Sequence, residues 1–151
     1  MSLAAVALSP PSGHTILAFD FGERYIGVAV GDSETRLASP LGMFEVSGSA
    51  RRLVEIEALV REWRPGRLVV GLPLAMDGGE HDITRRARRF ARQLQAHFRL
   101  PVDLADERLS SVDAESTLRE GGRGGRKHKH LTHAIAAKII LQSYLDESAR
   151  R

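Results

Sequence analysis

Two apolar runs, Thr15–Asp20 and Arg24–Gly31, are separated only by Phe21-Gly22-Glu23. The first is continuously apolar and ends in a carboxylate, the pattern of a buried strand. The second alternates Ile26, Val28 and Val30 against Tyr25, Gly27 and Ala29, the period of two that a strand requires. A link this short suits a hairpin, so the two strands are expected to pair antiparallel. A third strand is expected around Leu37–Val46, where Pro40 pushes part of it to a sheet edge or a bulge.

Beyond residue 50 the pattern changes. Leu53, Ile56, Val60 and Trp63 recur at helical spacing, and Pro65-Gly66 stops that helix. Arg67–Gly71 reads as a buried strand and Leu72–Gly79 as a loop. A long helix follows, with Ile83, Ala87, Phe90, Leu94 and Phe98 inward and its arginines outward. Pro101–Asp106 reads as a strand, and Ser110–Glu120 as a short helix capped by Ser110 or Ser111. Gly121–Gly125 breaks it, and a last, mostly buried helix runs from about Leu131 to Glu147. Alternating helices and strands predict an α/β domain, a mixed sheet covered on both faces. Sites in such sheets gather at the carboxyl ends of the strands. One domain over residues 15–147 is expected, after a disordered tail at 1–14 that holds Pro10, Pro11, Ser12 and Gly13.

The chain lacks cysteine, which excludes disulfides, thiolate zinc sites and a cysteine nucleophile. Its apolar runs fall short of the ~18–20 residues that span a bilayer, so no membrane partner is expected. The start, Met-Ser-Leu-Ala-Ala-Val-Ala-Leu, has no basic segment before its short apolar stretch, and a cytoplasmic location is expected. The formal net charge is +3. Residues 84–99 nevertheless hold six arginines and no acid, and residues 121–130 hold Arg123, Arg126, Lys127 and Lys129 with no acid. Such stripes suit a polyanion, or simply a solvated helix face and a loop.

Asp20 ends the first strand, and Asp106-Glu107 end the last. Carboxylates delivered by separate strands to one edge form the arrangement a hard divalent cation needs, although single surface acids are common. Gly22 after Asp20 permits a tight turn or close approach by a phosphate. The loop Gly71-Leu-Pro-Leu-Ala-Met-Asp-Gly-Gly79 could offer backbone N–H groups to a phosphate or be a plain connection. His130 and His133, three apart, share a helical face. Placed at a helix start they would favour the neutral, metal-competent form. Alternatively, they extend the basic loop.

Four segments together resemble one family. They are Asp20-Phe-Gly-Glu-Arg-Tyr-Ile-Gly-Val-Ala-Val-Gly-Asp32, Val69-Val-Gly-Leu-Pro-Leu, Asp106-Glu-Arg-Leu-Ser-Ser111 and Ala134-Ile-Ala-Ala-Lys-Ile-Ile-Leu-Gln-Ser-Tyr-Leu-Asp146. In order and spacing, over about residues 15–146, they resemble the YqgF-like proteins. These are RNase H-like proteins described as candidate Holliday junction resolvases and pre-16S rRNA processing nucleases. The resemblance implies an RNase H-like mixed five-stranded sheet with helices on both faces. It also implies metal-binding acids on two strands and at the start of the final helix. The first two fall on Asp20 and Glu107.

The third position departs from the pattern, because His133 stands where the family has Asp. Tyr25 likewise stands where the family has Arg, and Ser110-Ser111 replace Thr-Thr. Imidazole is a poor Mg²⁺ ligand and suits Mn²⁺ better. The expectation is a divalent-metal nuclease, Mn²⁺ favoured over Mg²⁺, with Asp20, Glu107 and His133 as metal-binding and catalytic residues. Asp106 is a weaker candidate for that site. Arg24, Arg108, Lys127 and Lys129 would bind the nucleic acid, RNA or branched DNA. A resolvase would pair two copies as a homodimer, although no exposed apolar stripe marks an interface. The rival reading makes His133 the mark of a lost site in a nucleic-acid-binding factor of ribosome assembly or DNA repair.

Overall fold

The computed structural model describes residues 14–22, 24–46, 48–73, 81–106 and 125–149. Its elements run β1 (Thr15–Phe21), β2 (Tyr25–Asp32), β3 (Leu37–Glu45), α1 (Ser49–Trp63), β4 (Arg67–Leu72), α2 (Asp82–Phe98), β5 (Val102–Asp106) and α3 (Gly125–Ala149). The strands form one five-stranded sheet in the order β3-β2-β1-β4-β5. The short link does make β1 and β2 antiparallel, from Thr15 opposite Asp32 to Phe21 opposite Ile26. β1–β4 and β4–β5 are parallel; the chain enters β4 from α1 and crosses from β4 to β5 through α2, as a parallel pair requires. The sheet is therefore mixed, with helices on both faces. Among the described residues no helix is long and apolar enough to cross a membrane.

β3 lies at one edge. Ala29 faces Pro40 and Val28 faces Gly42, so the register slips by one residue and Leu41 bulges. Pro40, which has no N–H to donate, sits where the ladder is interrupted. The preceding turn is set by Asp32, whose carboxylate accepts the N–H groups of Glu34 at 2.7 Å and Thr35 at 3.1 Å. His14 is fastened to this turn, because its carbonyl accepts the Ser33 N–H at 2.8 Å.

The pleat sorts the strands' side chains into two cores. On one face Leu17, Phe19, Phe21, Val28, Leu68 and Val70 pack against Ile56 of α1 and Phe90 and Leu94 of α2. Phe90 anchors this side: its ring meets Phe19 edge-on at 6.1 Å and Phe21 at 5.0 Å. The Arg52 guanidinium lies 4.9 Å from the Phe90 ring centre. On the other face the strand residues are smaller. Ile16, Ala18, Ala29 and Val69 receive Ala137, Ile140, Leu141 and Leu145 of α3. Small residues there let one long helix lie close to the sheet.

The final helix departs from expectation at its start. It begins at Gly125 rather than near Leu131, so the basic run Arg126–His130 is helical backbone and not loop. Past Gly125 that run contains no further glycine or proline, and arginine and lysine are good helix formers. The N-terminal tail before His14, the Leu72–Gly79 loop past Pro73 and the Ser110–Glu120 helix lie outside the described residues.

Phe90 of α2 buries its ring against Phe19 and Phe21 of β1 and Arg52 of α1, so Phe90→Ala should cost about 3–5 kcal/mol. Urea unfolding of the two proteins measures this. An equal midpoint would remove Phe90 from the core.

Candidate functional site

Asp20 is the sixth residue of β1 and shares its face with Ile16 and Ala18, the face that α3 covers. It is only 7% exposed, one of two buried polar side chains among the described residues. A carboxylate so placed is costly unless a hydrogen bond, a positive charge or a cation offsets it. Laterally, Asp20 pairs with Gly27 of β2 and with Gly71 of β4, and Gly71 pairs with Ala105 of β5. Asp20 and the end of β5 therefore lie at the same, carboxyl edge of the parallel strands. They are two strands apart, about 10 Å.

Gly27 explains how α3 reaches this edge. A Cβ on Gly27 would lie 2.0 Å from the backbone oxygen of His133 and 3.1 Å from its Cβ. The helix thus rests on the bare backbone of β2 beside Asp20, and His133 is brought over the strand pair that holds the carboxylate. Its ring packs on Tyr25, with centroids 5.4 Å apart and planes at 36°. Two of the positions set apart in the sequence, Tyr25 and His133, are therefore in contact. Sequence spacing held no signal of that pairing.

His133 is the ninth residue of α3, not part of its opening turn. The helix-end argument for a neutral imidazole does not apply, since that effect fades within the first turn. Position over β2, rather than the helix terminus, is what brings His133 to the site. Gly22 also resolves simply. A Cβ there would meet the Tyr25 carbonyl oxygen at 2.7 Å, so the hairpin turn itself demands glycine.

The remaining sequence candidates divide. Arg24 is exposed in the β1–β2 turn, next to the carboxyl edge. Asp106 ends β5 in register with Leu72, whose side chain belongs to the α1–α2 core. The pleat therefore turns Asp106 away from the face that carries Asp20. Glu107 and Arg108 lie outside the described residues, as do the side chains of Lys127 and Lys129 on α3. Among the described residues no three His, Asp or Glu side chains gather into a metal cage. The described donors, a buried carboxylate oxygen and an imidazole on one face, suit a divalent cation once a further acid joins them.

One polar cluster was missed by sequence reasoning. A carboxylate oxygen of Asp103, on β5, accepts from Arg67 of β4 at 2.9 Å and from the Tyr144 hydroxyl of α3. Burial and then the Asp103 hydrogen bond hold the Tyr144 phenol above its ordinary pKa. Gln142 makes a second tie from the same helix, accepting the Ala38 N–H at 3.1 Å and donating to the Arg36 carbonyl at 2.8 Å. α3 is thereby fastened to both sides of the sheet, at β3 and at β5. These partners are distant in sequence, and only an assembled sheet brings them together.

Comparison with known proteins gives this geometry a context. Residues 14–147 match the family model RuvX, described as Holliday junction resolvase. A protein of Nitrosomonas europaea is 49% identical over 141 residues, covering 93% of this chain and 95% of its own. A second, from Methylobacillus flagellatus, is 47% identical over 131 residues, covering 87% of this chain and 90% of its own. Both are named as candidate pre-16S rRNA nucleases. Among solved structures, Thermus thermophilus RuvC in complex with a Holliday junction substrate matches with a TM-score of 0.53. It is 16% identical and covers 90% of this chain and 96% of that one. That likeness bears on the fold, which is RNase H-like.

Two substitutions test the packing. Gly27→Ala drives a methyl into the His133 backbone, so α3 must lift; a loss of about 1–3 kcal/mol is expected in chemical denaturation, with a shifted His133 ring resonance by NMR. Tyr144 has a folded pKa above its unfolded value of about 10. Its contribution is therefore intact below that pH and lost as pH rises through the folded value. Melting curves should fall more steeply above pH ~10 for the parent chain than for Tyr144→Phe. Identical alkaline limbs would exclude the phenol as the cause.

Proposed function

This chain belongs to the RuvX family and is a nuclease, and from that premise we propose that it hydrolyses phosphodiester bonds of structured nucleic acid in the cytoplasm. Precursor 16S rRNA is the first substrate to test, and branched DNA the competitor. The observation that carries the site is the buried carboxylate of Asp20, facing α3 at the carboxyl edge of the parallel strands.

In this reading Asp20, Glu107 and His133 hold a divalent cation, Mn²⁺ in preference to Mg²⁺ because one donor is an imidazole. The bound cation would supply Lewis acidity toward the scissile phosphate and lower the pKa of a coordinated water. The chain's own residues do the positioning. Asp20 offers oxygen donors from a rigid central strand. Tyr25 fixes the plane of the His133 ring by packing on it. Arg24, exposed beside the edge, meets a substrate phosphate, with Arg108, Lys127 and Lys129 as further phosphate contacts. A substrate with two-fold symmetry would engage a homodimer, which sedimentation at working concentration measures.

Cleavage of labelled precursor rRNA and of a four-way DNA junction is the deciding assay, in Mn²⁺, Mg²⁺ and EDTA. Asp20→Asn and Glu107→Gln are expected to abolish cleavage and leave binding intact. His133→Asp is expected to shift the preference from Mn²⁺ toward Mg²⁺. Full cleavage by both carboxylate variants would sink the site. Binding without cleavage under every metal would favour a non-catalytic assembly factor.

A further inference from the structure

A large accumulation of positive charge lies outside the site just described. Residues 82–99 carry six arginines against the single acid Asp82, a net +5, whereas the whole chain carries +3. The rest of the chain sums to −2, so α2 and the residue that follows it, with the basic run at 121–130, carry the excess positive charge. Arg85, Arg89 and Arg92, exposed and spaced four and three apart, stand on the side opposite Ala87, Phe90, Ala91 and Leu94, which the helix buries. They rise along the helix by about 6 and 4.5 Å. Arg85 leans on Asp82 in an exposed ion pair. Among the described residues Arg89 and Arg92 have no partner.

The like charges are also crowded from beside. Arg52 of α1 sits over the Phe21 and Phe90 rings at 5.7 and 4.9 Å. Burial, and then repulsion from Arg86, push its pKa down. A bound polyanion would relieve this crowding of like charges. Guanidinium rather than ammonium is the group whose planar fork matches a phosphate.

The position of α2 gives the stripe a direction. The Thr84 hydroxyl donates to the Pro73 carbonyl at 2.7 Å and accepts the His81 N–H at 3.2 Å. Pro73 directly follows β4, whose Gly71 pairs with Asp20. The first turn of α2 is thus pinned at the edge that holds Asp20. From there the helix returns to the start of β5, on the face opposite α3. Its arginines lead away from the catalytic edge along the back of the sheet.

We propose that this arginine face is a second nucleic-acid site, which holds the phosphodiester backbone of the arm that leaves the catalytic edge. A substrate gripped at Asp20 on one face and at α2 on the other must bend or branch at the edge between them. The surface therefore selects branched or folded nucleic acid over a straight duplex. The proposal rests on the catalytic edge lying at Asp20, but its test needs no cleavage.

The experiment measures binding of a short-armed four-way DNA junction and a straight duplex to the full chain in EDTA, by fluorescence anisotropy across a KCl series. The parent chain is compared with Arg89→Gln/Arg92→Gln and with the charge-matched control Arg36→Gln/Arg61→Gln, all at exposed positions. Losing two phosphate contacts should lower the slope of log K against log salt by about 1.8. At 0.1 M KCl that is a weakening of tens of fold, on the order of 60. The junction should lose more than the duplex, and the control should keep the parent slope. Parent-like junction binding by the α2 variant, or an equal fall in slope for the control, would overturn the proposal. Continued cleavage by Asp20→Asn would instead unseat the catalytic assignment and leave the slope result standing.

Discussion

The direct seating of α3 on the backbone of β2 at Gly27 is the contact on which the site depends. A helix can approach a strand this closely only where no side chain intervenes, and the missing Cβ would otherwise sit 2.0 Å from a helix carbonyl oxygen. The strand residues beneath the helix are small for the same reason, with Ala18 and Ala29 where the opposite face has Phe19 and Val28. Close approach brings His133 over the hairpin and leaves Asp20 covered at the end of an apolar strand. The burial of the carboxylate and the placement of the imidazole are two results of one packing contact. The ties at Gln142 and Tyr144 then hold the rest of the helix in place.

The two faces of the sheet carry different work. The aromatic side, built on Phe19, Phe21 and Phe90, fills the larger space between the strands and two amphipathic helices and supplies most of the bulky core. The small-residue side gives up volume for closeness and carries the buried carboxylate. Strand alternation alone decides which residue joins which side, so a one-residue slip in β1 would send Asp20 into the aromatic core. Pairing of β1 with both β2 and β4 guards that register.

Much of this was legible in the sequence because local rules governed it. A three-residue link fixed the antiparallel hairpin, apolar recurrence at three and four located α1 and α2, and Pro40 marked the edge strand. Asp20 stood out as a carboxylate ending an apolar run. What was not legible depended on contacts between distant segments. No periodicity announces that Tyr25 and His133 stack, or that Asp103 collects Arg67 and Tyr144. α3 starts earlier than its glycine-rich approach suggests, because helix propensity recovers at Arg126. That displacement also moved His133 from a helix end to a helix interior, and with it the physical reason for the residue's position.

The bulge in β3 has a consequence beyond local geometry. An outermost strand offers its unused amide and carbonyl groups to any extended chain nearby, and a regular one templates polymerisation. Here Pro40 withholds a donor, and the slipped register beside it puts the flanking groups out of phase with an incoming strand. Leu37 and Leu41, both exposed on that border, would otherwise make it adhesive. The irregularity thus acts as a guard during synthesis and refolding, keeping newly made copies from zipping together before each has closed its own sheet.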